Sequence, residues 1–476
     1  MPKKYFASST EGAVNLVALA PEDMAAWKRT LDAAGRAWVK SCEFSGASGT
    51  QCLMSSAKGK LAMVAVGAGA GSIWDWATVA KSLPVGRYRL QIGSGRGTDS
   101  AEPDAEQATT AALGWALAGY SFTHFKQSSS SELAQLVWPK KADKTYVLAT
   151  SGATYLVRDL INTPANHMGP GELADVAAKL AKTHKAKFKV IVGDRLLRAN
   201  YPAIHAVGRA SDSAPRLIDI IWGKAKHPMI TLVGKGVCFD SGGLDIKSAA
   251  GMKIMKKDMG GAAQVLGLAS MIMALKLPVR LRVLIPAVEN SIAGNAMRPG
   301  DVVATRKGLT IEISNTDAEG RVVLADALAE ATSETPEMIL DFATLTGAAR
   351  VALGTELPAL FCNDNKMADG LLAHSHKASD PLWRMPLWQG YAPQVAAKVG
   401  DLNNAPDGGY GGAITAALLL ERFVEREKGQ QKKGLQKWAH IDLMAWNLSS
   451  RPGRPEGGEA MGIRAVYSYL AERFGK

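Results

Sequence analysis

Between Gly171 and Ala343 the chain alternates short, almost uninterrupted apolar runs with segments of helical periodicity, and this alternation limits its possible folds more than any other feature. The pattern predicts helix Leu173 to His184 and strands Phe188 to Val192, Arg216 to Trp222 and Met229 to Val233. Helix Ala262 to Leu275, strands Val279 to Ile285 and Leu309 to Ile313, helix Arg321 to Ala331 and strand Met338 to Ala343 are expected next. Strands apolar on both faces need cover on both sides, so the expected core is a mostly parallel central sheet covered by helices. Polar or glycine-rich loops follow the strands at 229–233, 309–313 and 338–343. Ligands of such sheets bind beyond the carboxyl ends of strands, so these three loops are expected to meet in one crevice.

The first third alternates in the same way. It predicts one amphipathic helix from Pro21 to Trp38, strands Leu61 to Val66 and Tyr88 to Ile92, an Ala-rich helix Ala105 to Leu117 and a strand Ala134 to Trp138. After Pro139 the apolar pattern breaks, and a long helix Thr145 to Ile161 ends at Asn162-Thr163-Pro164, because proline biases its predecessor away from helix. The fold class expected is α/β throughout: a smaller N-terminal domain (1–142), a connecting helix (143–165) and a larger catalytic domain (166–476).

With 476 residues, 47% of them hydrophobic and 21% charged, the chain has the composition of a globular protein with several cores. It holds no apolar run long enough for a membrane span and no secretory h-region near Met1. The four cysteines have no CxxC spacing and suit a reducing, cytoplasmic setting. A net charge of +12 invites a nucleic-acid reading. However, the lysines are scattered, and the densest group (Lys428, Lys432, Lys433, Lys437) sits in a Gly/Gln-rich stretch that reads as a solvated surface without a recognition motif. The glycines of Gly67-Ala-Gly69-Ala-Gly71-Ser72 miss the dinucleotide-binding spacing and read as a tight turn. No histidine pair has metal-ligand spacing, and His374 and His376 read as surface residues of a polar loop.

Chemistry concentrates in Asn315-Thr316-Asp317-Ala318-Glu319-Gly320-Arg321. If this stretch is extended, Asp317 and Glu319 point the same way, and facing carboxylates repel unless a cation or proton lies between them. An upstream segment carries more such groups: Lys235, Asp240 and Lys247, then Asp258 within Met252-Lys-Ile-Met255-Lys-Lys-Asp258-Met-Gly260-Gly261. Together they read as a two-metal hydrolase centre. Two other readings stay open: a two-metal phosphoesterase, which would be expected to add histidines and a phosphate cradle, and a DNA-binding role.

These segments, with Asp159-Leu-Ile-Asn-Thr-Pro-Ala-Asn-His-Met and Asp341-Phe-Ala-Thr-Leu-Thr-Gly-Ala, resemble the cytosolic leucine aminopeptidase family of dinuclear metallo-exopeptidases. The resemblance covers roughly residues 150 to 476; the N-terminal third is similar only in size and general pattern. It implies one divalent ion bound by Lys235, Asp240, Asp258 and Glu319, and a second bound by Asp240, Asp317 and Glu319. Three aspartates and one glutamate would then balance two dications. Zinc or manganese is expected, with magnesium or cobalt also compatible. Lys235 would bind as a neutral amine. Water shared by the two ions would lose its proton and attack the peptide carbonyl, Lys247 would stabilise the oxyanion, and Arg321 would hold a bicarbonate acting as general base.

The resemblance further implies peptide substrates with a free N-terminus, a side-chain pocket at Met255, Thr344, Leu345 and Gly347, and a homohexamer. That pocket suits Leu or Met at the peptide N-terminus. The chain departs from the family's late His-Leu-Asp-Ile-Ala-Gly by reading His440-Ile-Asp442-Leu443-Met444-Ala445-Trp446. Met444 is therefore expected to shorten the pocket, and Cys238, at a position often held by Thr, reads as a packing residue.

Overall fold

The computed structural model describes residues 2–67, 71–93, 101–127, 133–424 and 436–475. Residues 68–70 of the expected Gly67–Ser72 turn, and Lys428, Lys432 and Lys433, lie outside the described residues. The chain divides into two compact units, Met1–Tyr155 with Ser449–Glu456, and Leu156–Leu448 with Gly457–Lys476. The division falls inside the helix Lys144–Asn162.

The first unit holds a six-stranded sheet in the order Phe6–Ala7, Gln135–Val137, Arg87–Ile92, Val14–Leu19, Leu61–Gly67 and Gln51–Ser55. All pairs are parallel except the last. Its core gathers Trp76 and Trp115 from the helices Ile73–Ser82 and Ala105–Ala118 against Leu16, Val64 and Tyr88. The single helix expected over 21–38 is broken into a 3-10 turn Pro21–Asp23 and helices Met24–Thr30 and Ala33–Ser41. Asp32 is the cause: its carboxylate accepts the Gly35 N–H at 2.7 Å and starts a new helix, leaving Leu31 extended.

In the second unit the central sheet runs Trp383–Arg384, Ala359–Cys362, Trp438–Asp442, Met338–Ala343, Met229–Gly234, Arg280–Asn290, Arg216–Trp222, Lys187–Val192. The four strands from Trp438–Asp442 to Arg280–Asn290 are parallel, and both flanks turn antiparallel. Helix Gly260–Ala274 packs on the Met229–Gly234 and Met338–Ala343 strands. Helix Glu319–Ser333 contributes Val322, Val323, Leu324 and Leu328 to a large buried cluster, alongside Val233 and Ile339. No helix among the described residues is long and apolar enough to cross a membrane.

Two sequence expectations differ here. The run at 309–313 does not join the central sheet. Its strand, Thr310–Glu312, pairs with Val302–Ala304 and Leu402–Asn403 in a separate three-stranded sheet. The segment after Gly234 is not a loop: Gly236–Asp240 continues along Arg280–Asn290, pairing Gly236 with Ala287 and Asp240 with Asn290. Only Lys235 breaks the line. Its N–H goes to Phe342 O at 3.0 Å and its carbonyl accepts the Ala262 N–H at 2.8 Å.

Candidate metal centre

That one-residue break places Lys235 at the carboxyl end of the Met229–Gly234 strand. Its ammonium lies 2.7 Å from Asp258 Oδ2 and 2.9 Å from Glu319 Oε1, and donates to Thr344 O at 3.1 Å. Asp258 belongs to the 3-10 turn Met255–Met259 leading into helix Gly260–Ala274, and its Oδ1 accepts the Thr344 hydroxyl at 2.7 Å. Asp240 ends the next strand; its Oδ1 accepts from Asn290 Nδ2 and Gly242 N, both at 2.9 Å.

Residues 315–318 form a turn, and Glu319 is the first residue of helix Glu319–Ser333, so the extended geometry expected of Asp317 and Glu319 is absent. They converge nonetheless, because the turn folds Asp317 back over the helix start. Ligand-capable oxygens of Asp240, Asp317 and Glu319 lie within 4.8 Å of one another. Gly320 fits this crowding: a Cβ there would stand 2.6 Å from Lys235 Cε and 2.7 Å from Nζ.

Lys247 also joins the acids. Its ammonium is 2.8 Å from Asp240 Oδ2 and also pairs with Asp317 Oδ1. Two lysines thus face four carboxylates, and the charge is under-compensated. Burial, reinforced by Asp240 and Asp258 and only partly opposed by Lys235, pushes the Glu319 carboxyl up to about 8. Burial also raises Asp317, against the pull of Lys247. Asp258 goes the other way: burial would raise it, but the Lys235 ammonium outweighs that and holds it below the usual carboxylate range. Burial would lower Lys235, but Asp258, Glu319 and Asp240 outweigh it, so among these side chains the amine is protonated. Glu319 Oε2 is buried and accepts no hydrogen bond among the described residues. Excess negative charge on hard oxygen donors, one of them orphaned, fits divalent cations.

Lys235, Asp240, Lys247, Asp258 and Asp317 open into a cavity of about 510 Å³. Met255, Thr344, Leu345, Gly347 and Met444 line it too, while Glu319 and Arg321 are buried and are not among its lining residues. The Arg321 Nη1 donates to Asn404 O at 2.5 Å, and its Nε–H has no partner among the described residues. Burial pulls its guanidinium down to about 10, still protonated at neutral pH. Cys238 is buried, and burial keeps its thiol protonated.

Sequence reasoning missed several cavity residues. Lys257 is buried, and burial pulls its amine down to about 8. Arg350 and Asp442 also line the wall; Asp442 accepts from Leu345 N at 3.0 Å, Thr346 N at 3.2 Å and Thr346 Oγ1 at 2.6 Å. No spacing rule marks them, since they come from three distant segments. His374 is not a loop residue: it lies in helix Asn365–Lys377, buried, with Nδ1 2.7 Å from the Ser468 hydroxyl.

An α/β unit with acids and lysines gathered at the carboxyl ends of parallel strands defines the class, a hydrolase-like site suited to metal. The comparisons narrow it. Residues 155–467 match the catalytic domain of the cytosol aminopeptidase family, and residues 14–139 match the N-terminal domain of M17 aminopeptidases. The chain is 41% identical over 322 residues to a probable cytosol aminopeptidase of Geobacter sp. (strain M21), covering 67% of this chain and 64%, just under two thirds, of that relative. The solved cytosol aminopeptidase of Coxiella burnetii is similar over 98% of this chain and 99% of its own, at 48% identity and a TM-score of 0.90. The bottromycin maturation enzyme BotP in complex with Mn is similar at 32% identity and a TM-score of 0.84, over 97% of this chain and 99% of its own. The chain belongs to the cytosol aminopeptidase family, whose members are metal-dependent peptidases.

Proposed function

We propose that this protein is a metal-dependent aminopeptidase that releases N-terminal residues from short peptides. The observation that carries the reading is the under-neutralised group of buried Asp240, Asp258 and Glu319 with half-buried Asp317, Lys235 being wedged between Asp258 and Glu319. In this reading Lys235, Asp240, Asp258 and Glu319 hold one divalent ion, and Asp240, Asp317 and Glu319 hold the other. Bound there, the ions supply Lewis acidity toward a scissile carbonyl and acidify water. The manganese of the BotP complex supports manganese as one occupant, with zinc the other leading candidate.

The chain's own groups divide the remaining work. Lys247 lines the cavity, and its Asp240 and Asp317 contacts outweigh burial and keep it protonated. It therefore offers a proton-bearing donor to a developing oxyanion. Arg321, fixed by Asn404 and with an Nε–H unpaired among the described residues, holds a small anion such as bicarbonate. Met255, Thr344, Leu345 and Gly347 receive the first side chain, and Met444 limits its length. The four free cysteines suit a reducing cytoplasm. A homohexamer is part of the same reading, and a monomer mass by light scattering would remove it.

The test is hydrolysis of leucyl-p-nitroanilide, its N-acetylated form and a nitrophenyl phosphodiester by manganese- or zinc-loaded protein. Cleavage of the first alone supports the proposal. Cleavage of the phosphodiester in its place overturns it.

A further inference from the structure

Lys257 stands apart from every other charged group on the cavity wall. It is only 5% exposed, yet it lines the cavity, and its ammonium has no hydrogen-bond or ion-pair partner among the described residues. The other buried or half-buried charges there are engaged. Lys235 pairs with Asp258 and Glu319, Lys247 with Asp240 and Asp317, and Asp442 receives three donors from Leu345 and Thr346. Arg350, the remaining cation of the wall, is exposed, and among the described residues its Nη1 donates to the Met444 sulfur at 3.8 Å.

Leaving an ammonium buried and unpaired is costly, and such a group on the wall of a cavity is a candidate for binding a ligand of opposite charge. The surroundings say which ligand. Met255, Leu345 and Met444 supply apolar wall to the same cavity, to which Lys257 and Arg350 bring two positive charges, while the acids Asp258 and Asp442 of that wall are already held by other donors. Such a lining suits a short aliphatic stem ending in an anion.

We infer that Lys257 is a specificity-determining residue that binds a substrate carboxylate, with glutamyl and aspartyl N-termini as the favoured source. The inference rests on the aminopeptidase reading and changes its expected preference, from Leu or Met toward acidic first residues. A second source of the same group is the C-terminal carboxylate of a dipeptide.

The experiment compares kcat/KM for glutamyl- and glutaminyl-p-nitroanilide, which lack a C-terminal carboxylate, and for Leu-Gly and Leu-Gly-amide. The metal-loaded wild type and the Lys257→Met and Lys257→Arg variants are measured together. The wild type should favour Glu over Gln by roughly tenfold to a hundredfold, the worth of a charged hydrogen bond. Lys257→Met should bring that ratio near one, and Lys257→Arg should keep most of it. Each ratio is taken on a single protein sample, so partial misfolding does not disturb it. A Leu-Gly over Leu-Gly-amide preference that disappears in Lys257→Met assigns the carboxylate to the peptide C-terminus and still supports the binding role. A wild type indifferent to both pairs while cleaving leucyl-p-nitroanilide overturns the inference and spares the aminopeptidase reading. If nothing is cleaved, that reading fails, and calorimetric binding of free glutamate against glutamine decides the role of Lys257: tighter glutamate binding lost in Lys257→Met supports it, and equal binding overturns it.

Discussion

Lys247 Nζ lies 2.8 Å from Asp240 Oδ2, and the same ammonium reaches Asp317, so one cation ties the end of the Gly236–Asp240 strand to the turn at 315–318. If its function is to meet the oxyanion, Lys247→Ala should lower kcat by roughly 100- to 1,000-fold while bound metal per chain stays the same. Steady-state kinetics with metal analysis on the same sample checks this. An unchanged rate removes Lys247 from the mechanism.

Asn290 orients Asp240 from behind: Nδ2 donates to Asp240 Oδ1 at 2.9 Å and to Thr316 O at 3.1 Å. Asn290→Ala leaves the carboxylate in place without its support. Metal affinity in a competitive chelator titration should fall by roughly 10- to 100-fold, as for other groups that orient a ligand.

Gly320 is next to Glu319 because a Cβ at that position would collide with the Lys235 side chain. Gly320→Ala should force Lys235 away from Asp258 and cost roughly 1–3 kcal/mol of stability. Chemical denaturation measures the cost. A variant as stable as the wild type, with unaltered metal affinity, would show that the close approach is not needed.

The buried pair His440–Asp341 predicts a pH dependence of stability. Burial alone would lower the imidazole, but Asp341, whose Oδ1 is 2.5 Å from Nδ1, outweighs it and raises the imidazole above its ordinary value. A group raised in the folded state contributes stability fully below its unfolded value, near 6.5, and loses it as pH climbs through the folded value. Urea midpoints should therefore decline as pH rises past that point, and Asp341→Asn should flatten the decline. Parallel curves for the two proteins would refute it.

Much of the candidate site was legible because the residues that converge there sit in short, ordered motifs: Lys235 and Asp240 after a buried strand, Asp258 before a helix, Asp317 and Glu319 in one heptapeptide. Periodicity recovered three strands of the parallel centre, at 229–233, 279–285 and 338–343, since burial on both faces leaves an apolar run; the fourth, Trp438–Asp442, was not expected. It could not show that Thr310–Glu312 belongs to a separate sheet, because that depends on pairing with Leu402–Asn403, far away in sequence. Glycines disguised Gly236–Asp240 as a loop, although its hydrogen-bond partners lie at 287–290. Lys257 looked like any lysine ahead of a helix; only the folded wall around it shows that its charge is buried.

The most direct measurement of the central claim is the number of divalent ions bound per chain, taken by elemental analysis after loading chelated protein with manganese or zinc and removing the excess. Two ions per chain in the wild type, with fewer in both Glu319→Ala and Asp258→Ala, is the expected result. A wild type that retains none, or that binds two ions regardless of those substitutions, would contradict it.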